Sequence, residues 1–312
     1  MKVLVTGASG FVGSAIVAEL LTRGHIVRVA LRTPTQATSV GQLSQAIIGD
    51  MTQPIDWMPH LDGIEAIVHA AGLAHASTRE AERQLFAVNV EATERLMQAA
   101  KRAGIAQAIH ISSVRAVSGA SSDDVIADDH PPAPTNAYGR SKLESEKVVH
   151  ASGLGGAILR PPLVHGAHVK GNLALLARVA ATPLPLPLGG LTGRRSIVSD
   201  RNLASAVAFV LERQQTPMMT ALVADARPLS ATEIVAKLRA AAGRSPRLVA
   251  APGALSALFA LLGKAELWHS LAGSLEVAAH RLAALGWQPV EQSDAGLART
   301  ISALRHASTD RT

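Results

Sequence analysis

The chain has 312 residues, 48% of them hydrophobic, a net charge of +6 and no cysteine. This excludes a disordered chain, a disulfide framework and a thiolate metal site, and the length predicts one large domain with a smaller one appended. Lysine and arginine are dispersed and aromatic residues make up only 3%, which argues against nucleic acid and for a small anionic ligand. The apolar run at residues 3–5 is short and the later stretch PGALSALFALLG is too short to span a bilayer, so no targeting or membrane segment is expected. A cytoplasmic location is expected, with neither nucleic acid nor membrane as partner.

Residues 2–6 (KVLVT) read as a short buried strand, followed by a glycine turn and a helix from Phe11 to Arg23, whose Val12, Ile16 and Leu20 share one face. Further strands are predicted within residues 25–32, 45–50, 65–72, 107–113 and 156–162. Helices are predicted over 80–103 and from Asn136 to His150. Strands alternating with helices predict a parallel, doubly wound sheet with right-handed crossovers. After Pro162 the alternation weakens: an apolar helix over 172–181 and a proline-rich tract lead to a strand-like piece and a helix within 194–212. Residues 220–226 read as a late strand returning to the sheet, and mostly short helices follow. The expected fold is α/β, a Rossmann-type doubly wound parallel sheet with a smaller, mostly helical C-terminal substrate domain. Residues 1–165 and 196–225 are assigned to the first domain, 166–195 and 226–312 to the second.

The turn TGASGFVG places Gly7, Gly10 and Gly13 between the first strand and the first helix. That order suits a dinucleotide: Gly7 permits the turn, Gly10 lets backbone approach a pyrophosphate, and Gly13 allows close packing. Ser9, Phe11 and Val12 complete the expected contacts of this turn. The second strand ends in Leu31 and Arg32 where NAD would call for an acidic residue, and an arginine there suits the 2′-phosphate of NADP. NADP(H) is therefore favoured over NAD(H). Asp50, followed by Met51, is an adenine-side candidate.

The only tyrosine, Tyr138, stands four residues before Lys142, so a helix puts both on one face. An unperturbed phenol, with a pKa of about 10, is a poor acid or base at neutral pH unless a cation stabilises its phenolate. Lys142 is the predicted cation. Ser112 and Ser113 close the fifth strand at the carboxyl edge, where open α/β sheets bind ligands. His69, His75, His110 and His165 lack the spacing of metal ligands, and no metal is expected.

The segments TGASGFVG, GD at 49–50, HAAG at 69–72, FAVNVEAT at 86–93, ISSV, YGRSK and LRPPLVHG together resemble the extended short-chain dehydrogenases/reductases of the NAD-dependent epimerase/dehydratase family. Further on, VKGN, RRSIVSDRNLASAV, LAGSLEV and LGWQP resemble its bacterial nucleotide-sugar members, 4-ketoreductases and 4-epimerases of polysaccharide synthesis. The resemblance implies that Tyr138 is the acid/base, Lys142 its partner, and Ser113 the third member ahead of Ser112. It further implies a supporting Asn89, cofactor contacts from Ala70, Ala71, Gly72 and Pro161, and substrate contacts from Arg115, Asn172 and Arg195. Where many members read SSxxVYG, this chain has SSVRAVSG, with Val114 third in the run. The expected activity is hydride transfer from NADPH to a 4-keto nucleotide sugar. The alternatives are a 4-epimerase with tightly bound NAD and, from another class, a non-catalytic NADP-binding sensor or partner protein. A homodimer through the helices after residue 80 is a further expectation.

Overall fold

The computed structural model describes residues 1–34, 41–74, 78–213 and 217–309. His75 lies outside them.

Seven strands form one parallel sheet: β1 (Lys2–Thr6), β2 (Ile26–Leu31), β3 (Leu43–Ile47), β4 (Ala66–His69), β5 (Gln107–Ile111), β6 (Gly155–Arg160) and β7 (Met219–Leu222). Their order is β7-β6-β5-β4-β1-β2-β3, so the chain reverses direction across the sheet beside β1, and a crevice opens there at the carboxyl ends. Helix α1 (Phe11–Thr22) follows the glycine turn. Helices α2 (Arg79–Phe86) and α3 (Ala92–Arg102) are joined through a π-helical turn at Ala87–Glu91, so the single predicted helix is interrupted where Asn89 points inward. Helix α4 (Ala137–Ala151) is capped by Asn136, whose Oδ1 accepts from the Gly139 N–H at 2.9 Å. Beyond β6 come α5 (Gly171–Ala180) and α6 (Asp200–Arg213); beyond β7 come α7 (Ala231–Ala241), α8 (Pro252–Leu261), α9 (Ala265–Ala272) and α10 (Ser293–Thr309).

The strands are apolar because both faces are covered. On one face Ile16 and Leu20 of α1 and Leu203, Val207 and Leu211 of α6 pack against Val3, Val5 and Val27, joined by Leu282 and Trp287. On the other, Leu96 and Met97 of α3 and Val149 of α4 pack against Leu4, Ile67 and Ile158. A separate core gathers α5, α7 and α10 around Leu173, Val235, Leu238 and Leu297. The predicted return strand exists as β7, paired parallel to β6. The strand-like piece before α6, Ile197–Ser199, pairs instead with Leu163–His165 in a separate two-stranded sheet.

One buried polar cluster ties these layers together. Asp225 accepts from the backbone of Ser199 (2.9 Å), from Asn202 (2.7 Å), from His165 Nε2 (2.8 Å) and from Ser293 (2.7 Å). Burial alone pushes its carboxyl pKa up, but the donors from His165, Asn202 and Ser293 more than offset this and hold it below the ordinary value. A pKa lower in the folded than in the unfolded chain stabilises the fold above the unfolded value, and that contribution is lost as pH falls through the folded one. Asp225→Ala is expected to cost about 3–5 kcal/mol near neutral pH, because four donors lose their acceptor. Urea unfolding should show the gap between wild type and variant narrowing below about pH 4.

Candidate functional site

The crevice is a cleft of about 1070 Å³ lined by Gly7, Ser9 and Gly10 after β1, Arg32 after β2, Asp50 and Met51 after β3, and Ala70, Ala71 and Gly72 after β4. Its floor is set by glycine. Gly7 has φ +68°, and a Cβ there would stand 2.6 Å from the backbone of Ala70 and Ala71, so the two turns touch without a side chain between them. A Cβ on Gly13 would stand 2.1 Å from the Gly7 carbonyl oxygen, which fixes α1 against the turn. Gly10 meets only that oxygen, at 3.1 Å. Phe11 opens α1, and Val12 packs against the sheet core. Helix α1 has no capping side chain and no acidic residue in its first turn, so its N–H groups are left for an anion. A dinucleotide fits this cradle.

Arg32 does not stand alone at its strand end. Its guanidinium lies 3.4 Å from the Asp50 carboxylate. Asp50 lies in the turn beyond β3, where the Thr52 N–H and hydroxyl, with Arg32 behind them, hold its pKa below the ordinary range. A 2′-phosphate at Arg32 would share the arginine with a carboxylate.

Helix α4 carries Tyr138, Lys142 and Glu146 at four-residue intervals, on one face directed at the end of β5. Tyr138 is half-buried, with the Ser113 side chain beside its phenol. Burial raises its phenol pKa, and Ser113 and the Arg115 charge act in the opposite direction. Lys142 is buried, and its Nζ donates to the Ile111 carbonyl at 2.8 Å. Desolvation lowers its pKa to about 8, against the Glu146 carboxylate, which raises it. Thus Lys142 shares the tyrosine's helix face, but its ammonium rests on the strand end, while the cation acting on the phenol is Arg115. A Cβ on Gly72 would stand 3.3 Å from Lys142 Nζ, so the lysine closes the inner end of the cleft.

The two serines separate cleanly. Ser113 faces Tyr138 and caps the 3-10 turn Val114–Ala116, accepting from the Arg115 N–H at 3.2 Å. Ser112 turns inward and donates to Glu146, which also accepts from Arg160 Nε at 3.0 Å and Nη2 at 2.6 Å. Pro161 is buried, and its carbonyl accepts from the Val114 N–H at 3.0 Å. Asn89 clamps Leu73, accepting from its N–H at 2.8 Å and donating to its carbonyl at 2.9 Å, and also donates to Ser141 at 2.9 Å.

Asn172 and Arg195, expected as substrate contacts, stand in different surroundings. Asn172 is exposed in the first turn of α5, and Lys170, not Asn172, occupies the cap position. Arg195 is buried and donates to the backbone carbonyls of Gly273 (2.8 Å) and Ala120 (3.0 Å); desolvation and then the nearby Arg115 charge lower its pKa to about 10. Arg115 itself pairs with Glu266 of α9 at 2.7 Å, and Asn136 donates to the same carboxylate at 2.9 Å. Sequence reasoning missed Glu146 and Glu266. The four-residue step from Lys142 would have pointed to Glu146; nothing local marks Glu266, which reaches the site across 130 residues or more.

His69 and His110 are register partners on β4 and β5, and their buried rings stack at 5.3 Å. His69 is bonded to Thr6 and Thr93. Desolvation first and Lys142 second lower its pKa to about 3 and hold that of His110 well below the ordinary value. Both rings are neutral. Among the described residues, no three histidine, aspartate or glutamate side chains are grouped to hold a metal ion.

The model of the NAD dependent epimerase/dehydratase family matches residues 3–220. The chain belongs to that family. Among family-like relatives, a UDP-glucose 4-epimerase of Vibrio cholerae is 32% identical over 98% of this chain and 96% of its own. A 3-beta-hydroxysteroid dehydrogenase of Mycolicibacterium neoaurum is 29% identical over 78% of this chain and 70% of its own. Of solved structures, MoeE5 in complex with UDP-glucose and NAD superposes with a TM-score of 0.79 at 23% identity, covering 99% of this chain and 100% of that one. A Bacillus cereus UDP-glucuronic acid 4-epimerase with NAD gives 0.78 at 20% identity, covering 98% and 99%. These last two establish the epimerase/dehydratase fold of the chain.

The Lys142 environment has a measurable consequence. In the ligand-free protein its amine is expected to titrate near pH 8, more than two units below a solvated lysine at about 10.4. NMR of lysine-labelled protein, with the signal assigned through Lys142→Met, checks this.

Proposed function

We propose that the protein oxidises and reduces a carbinol carbon of a nucleotide-linked sugar, and that its net reaction is 4-epimerisation. The observation that carries the oxidoreductase reading is the gathering of Tyr138, Ser113 and the buried Lys142 at the end of β5, with Lys142 Nζ against Gly72 of the glycine-floored cleft. The epimerase reading is supported by the Vibrio cholerae relative, similar from end to end. In this proposal Gly7, Ser9, Gly10, Phe11, Val12 and Gly13 hold the pyrophosphate of a dinucleotide, with Ala70, Ala71, Gly72 and Pro161 along the rest of it. When bound, a nicotinamide accepts and returns hydride.

The chain's own groups handle the proton and the alignment. Ser113 holds the sugar oxygen beside the phenol, and Tyr138 takes the hydroxyl proton as the carbon is oxidised and gives it back as the ketone is reduced. Lys142, already stripped of water, keeps positive charge at the inner end of the cleft, and the Arg115 charge favours the phenolate form of Tyr138. Asn89 and Ser141 fix the loop at Leu73 and the first turn of α4. Residues 1–165 and 196–225 provide this half, and residues 166–195 and 226–312 hold the sugar nucleotide, with Arg115 at the border between them.

Arg32 supports a second reading, a 4-keto sugar reductase using NADPH, because a guanidinium at the end of β2 suits a 2′-phosphate. Asp50 at 3.4 Å counts against it, since the carboxylate already occupies that charge and would repel a second anion. The nucleotide released by denaturing the purified protein discriminates the readings. Tightly held NAD is expected; freely exchanging NADP(H) would instead support the reductase, and absence of any nucleotide binding would sink both.

Tyr138→Phe is expected to lower turnover about a thousandfold while leaving nucleotide binding within about twofold. Ser113→Ala should lower turnover by about tenfold to a hundredfold, and Ser112→Ala should act on unfolding more than on turnover. Steady-state kinetics with UDP-glucose, together with nucleotide titrations, check all three; unchanged turnover in Tyr138→Phe would remove the assignment.

A further inference from the structure

The C-terminal lobe has a charge balance unlike the rest of the chain. Residues 166–199 and 234–265 together contain nine lysines and arginines and no aspartate or glutamate, leaving twenty-one basic against twenty-four acidic residues elsewhere. Three of the nine are committed inside the lobe: Arg195 and Arg239 are buried, and Lys237 pairs with Asp294. Arg178, Arg244, Arg247 and Lys264 are exposed.

The same lobe is apolar where solvent should favour polar side chains. Helix α8, within the stretch PGALSALFALLG, has no buried residue at all. Leu261 is 85% exposed, and Leu258, Leu262, Val249 and Leu184 are exposed with it. These positions belong to one edge. Arg239 holds the carbonyls of Thr182 and Leu184, the Leu186 N–H donates to the Arg247 carbonyl at 3.1 Å, and the strand Leu248–Ala250 pairs with Leu186–Gly189 and leads directly into α8.

Arg244, Arg247 and Lys264 flank the exposed leucines in the chain, and the acid that follows, Glu266, is paired with Arg115, so the edge calls for a surface that is both apolar and anionic. Nucleic acid lacks the apolar part, and a second copy of this face would bring like charges together. We propose that this edge docks on the surface of an anionic lipid bilayer, with α8 lying in the plane of the interface. At 10 residues α8 is far too short to cross, and no described helix is long and apolar enough to do so; lying at the surface requires neither. Helix α9, which follows α8 at once, carries the Glu266 that contacts Arg115 and Asn136 beside Tyr138, so docking sets the substrate side of the cleft toward the lipid.

Cosedimentation of the full chain with vesicles tests this without reference to catalysis. Binding to phosphatidylglycerol–phosphatidylcholine vesicles is expected, weakening as salt is raised, with little binding to phosphatidylcholine alone. Leu261→Ser with Leu262→Ser, and separately Arg247→Glu with Lys264→Glu, should each lower the partition at least about tenfold. Both double variants change exposed side chains and should keep the thermal unfolding midpoint. No binding to phosphatidylglycerol vesicles overturns the proposal, as does binding that both variants retain. A concentration-dependent dimer abolished by the leucine variant, without vesicle binding, would give the face to a second copy and overturn it equally.

Discussion

The first turn of α4 and the turn that follows β5 meet backbone to backbone. A Cβ on Gly139 would stand 2.3 Å from the Arg115 carbonyl oxygen, closer than any side chain permits. Glycine at this one position lets the helix seat fully, and the residue before it is Tyr138. The phenol therefore reaches Ser113, and the Asn136 cap reaches the same Glu266 carboxylate as Arg115. A helix displaced by the width of a methyl group would lose all of these contacts together, because each is a short-range polar bond with a narrow distance range.

Below that contact the site contains charge where water is absent. Lys142, Arg160 and Glu146 are all buried, and such groups persist only when paired and fully bonded. Arg160 and Glu146 pair with bidentate geometry, Ser112 donates to the same carboxylate, and Lys142, which also feels that carboxylate, rests its ammonium against the Ile111 carbonyl. Its field is felt widely: it helps to keep His69 and His110 neutral. Burial raises the tyrosine pKa above its ordinary value and lowers that of the lysine to about 8, so the two move apart and the phenol of the ligand-free protein stays protonated near neutral pH.

The parallel sheet, the glycine turn and the Tyr138–Lys142 helix were legible in the sequence because each is written in residues close together. Strand and helix alternate through 160 residues, Gly7 and Gly13 stand where side chains cannot, and a four-residue step places two groups on one face. The choice between Ser112 and Ser113 was not legible, since adjacent residues on a strand point to opposite sides and only the position of Glu146 determines which side faces inward. The surroundings of Arg195 and Asn172 were not legible for a related reason. A buried arginine tied to carbonyls and an exposed one meeting a phosphate carry the same letter. Arg32 likewise has its expected position, but its partner Asp50 comes from the neighbouring strand end.

The two halves of the cleft are built by different means, and this bears on how one scaffold serves different ligands. The inner half is fixed by close backbone approaches at Gly7, Gly13 and Gly139 and by buried hydrogen bonds, none of which tolerates much change. The outer half is bordered by long side chains, Arg115, Asn136 and Glu266, whose contacts span more than 100 residues of chain and remain partly exposed. Exposed ion pairs of this kind contribute little stability, so they are replaced or rearranged at small cost to the fold. The relatives of this chain include a UDP-glucose 4-epimerase and a 3-beta-hydroxysteroid dehydrogenase at similar identity, named for a sugar nucleotide and a steroid. On the reading proposed above, such a range needs no change in the backbone approaches at Gly7, Gly13 and Gly139, only in these partly exposed side chains.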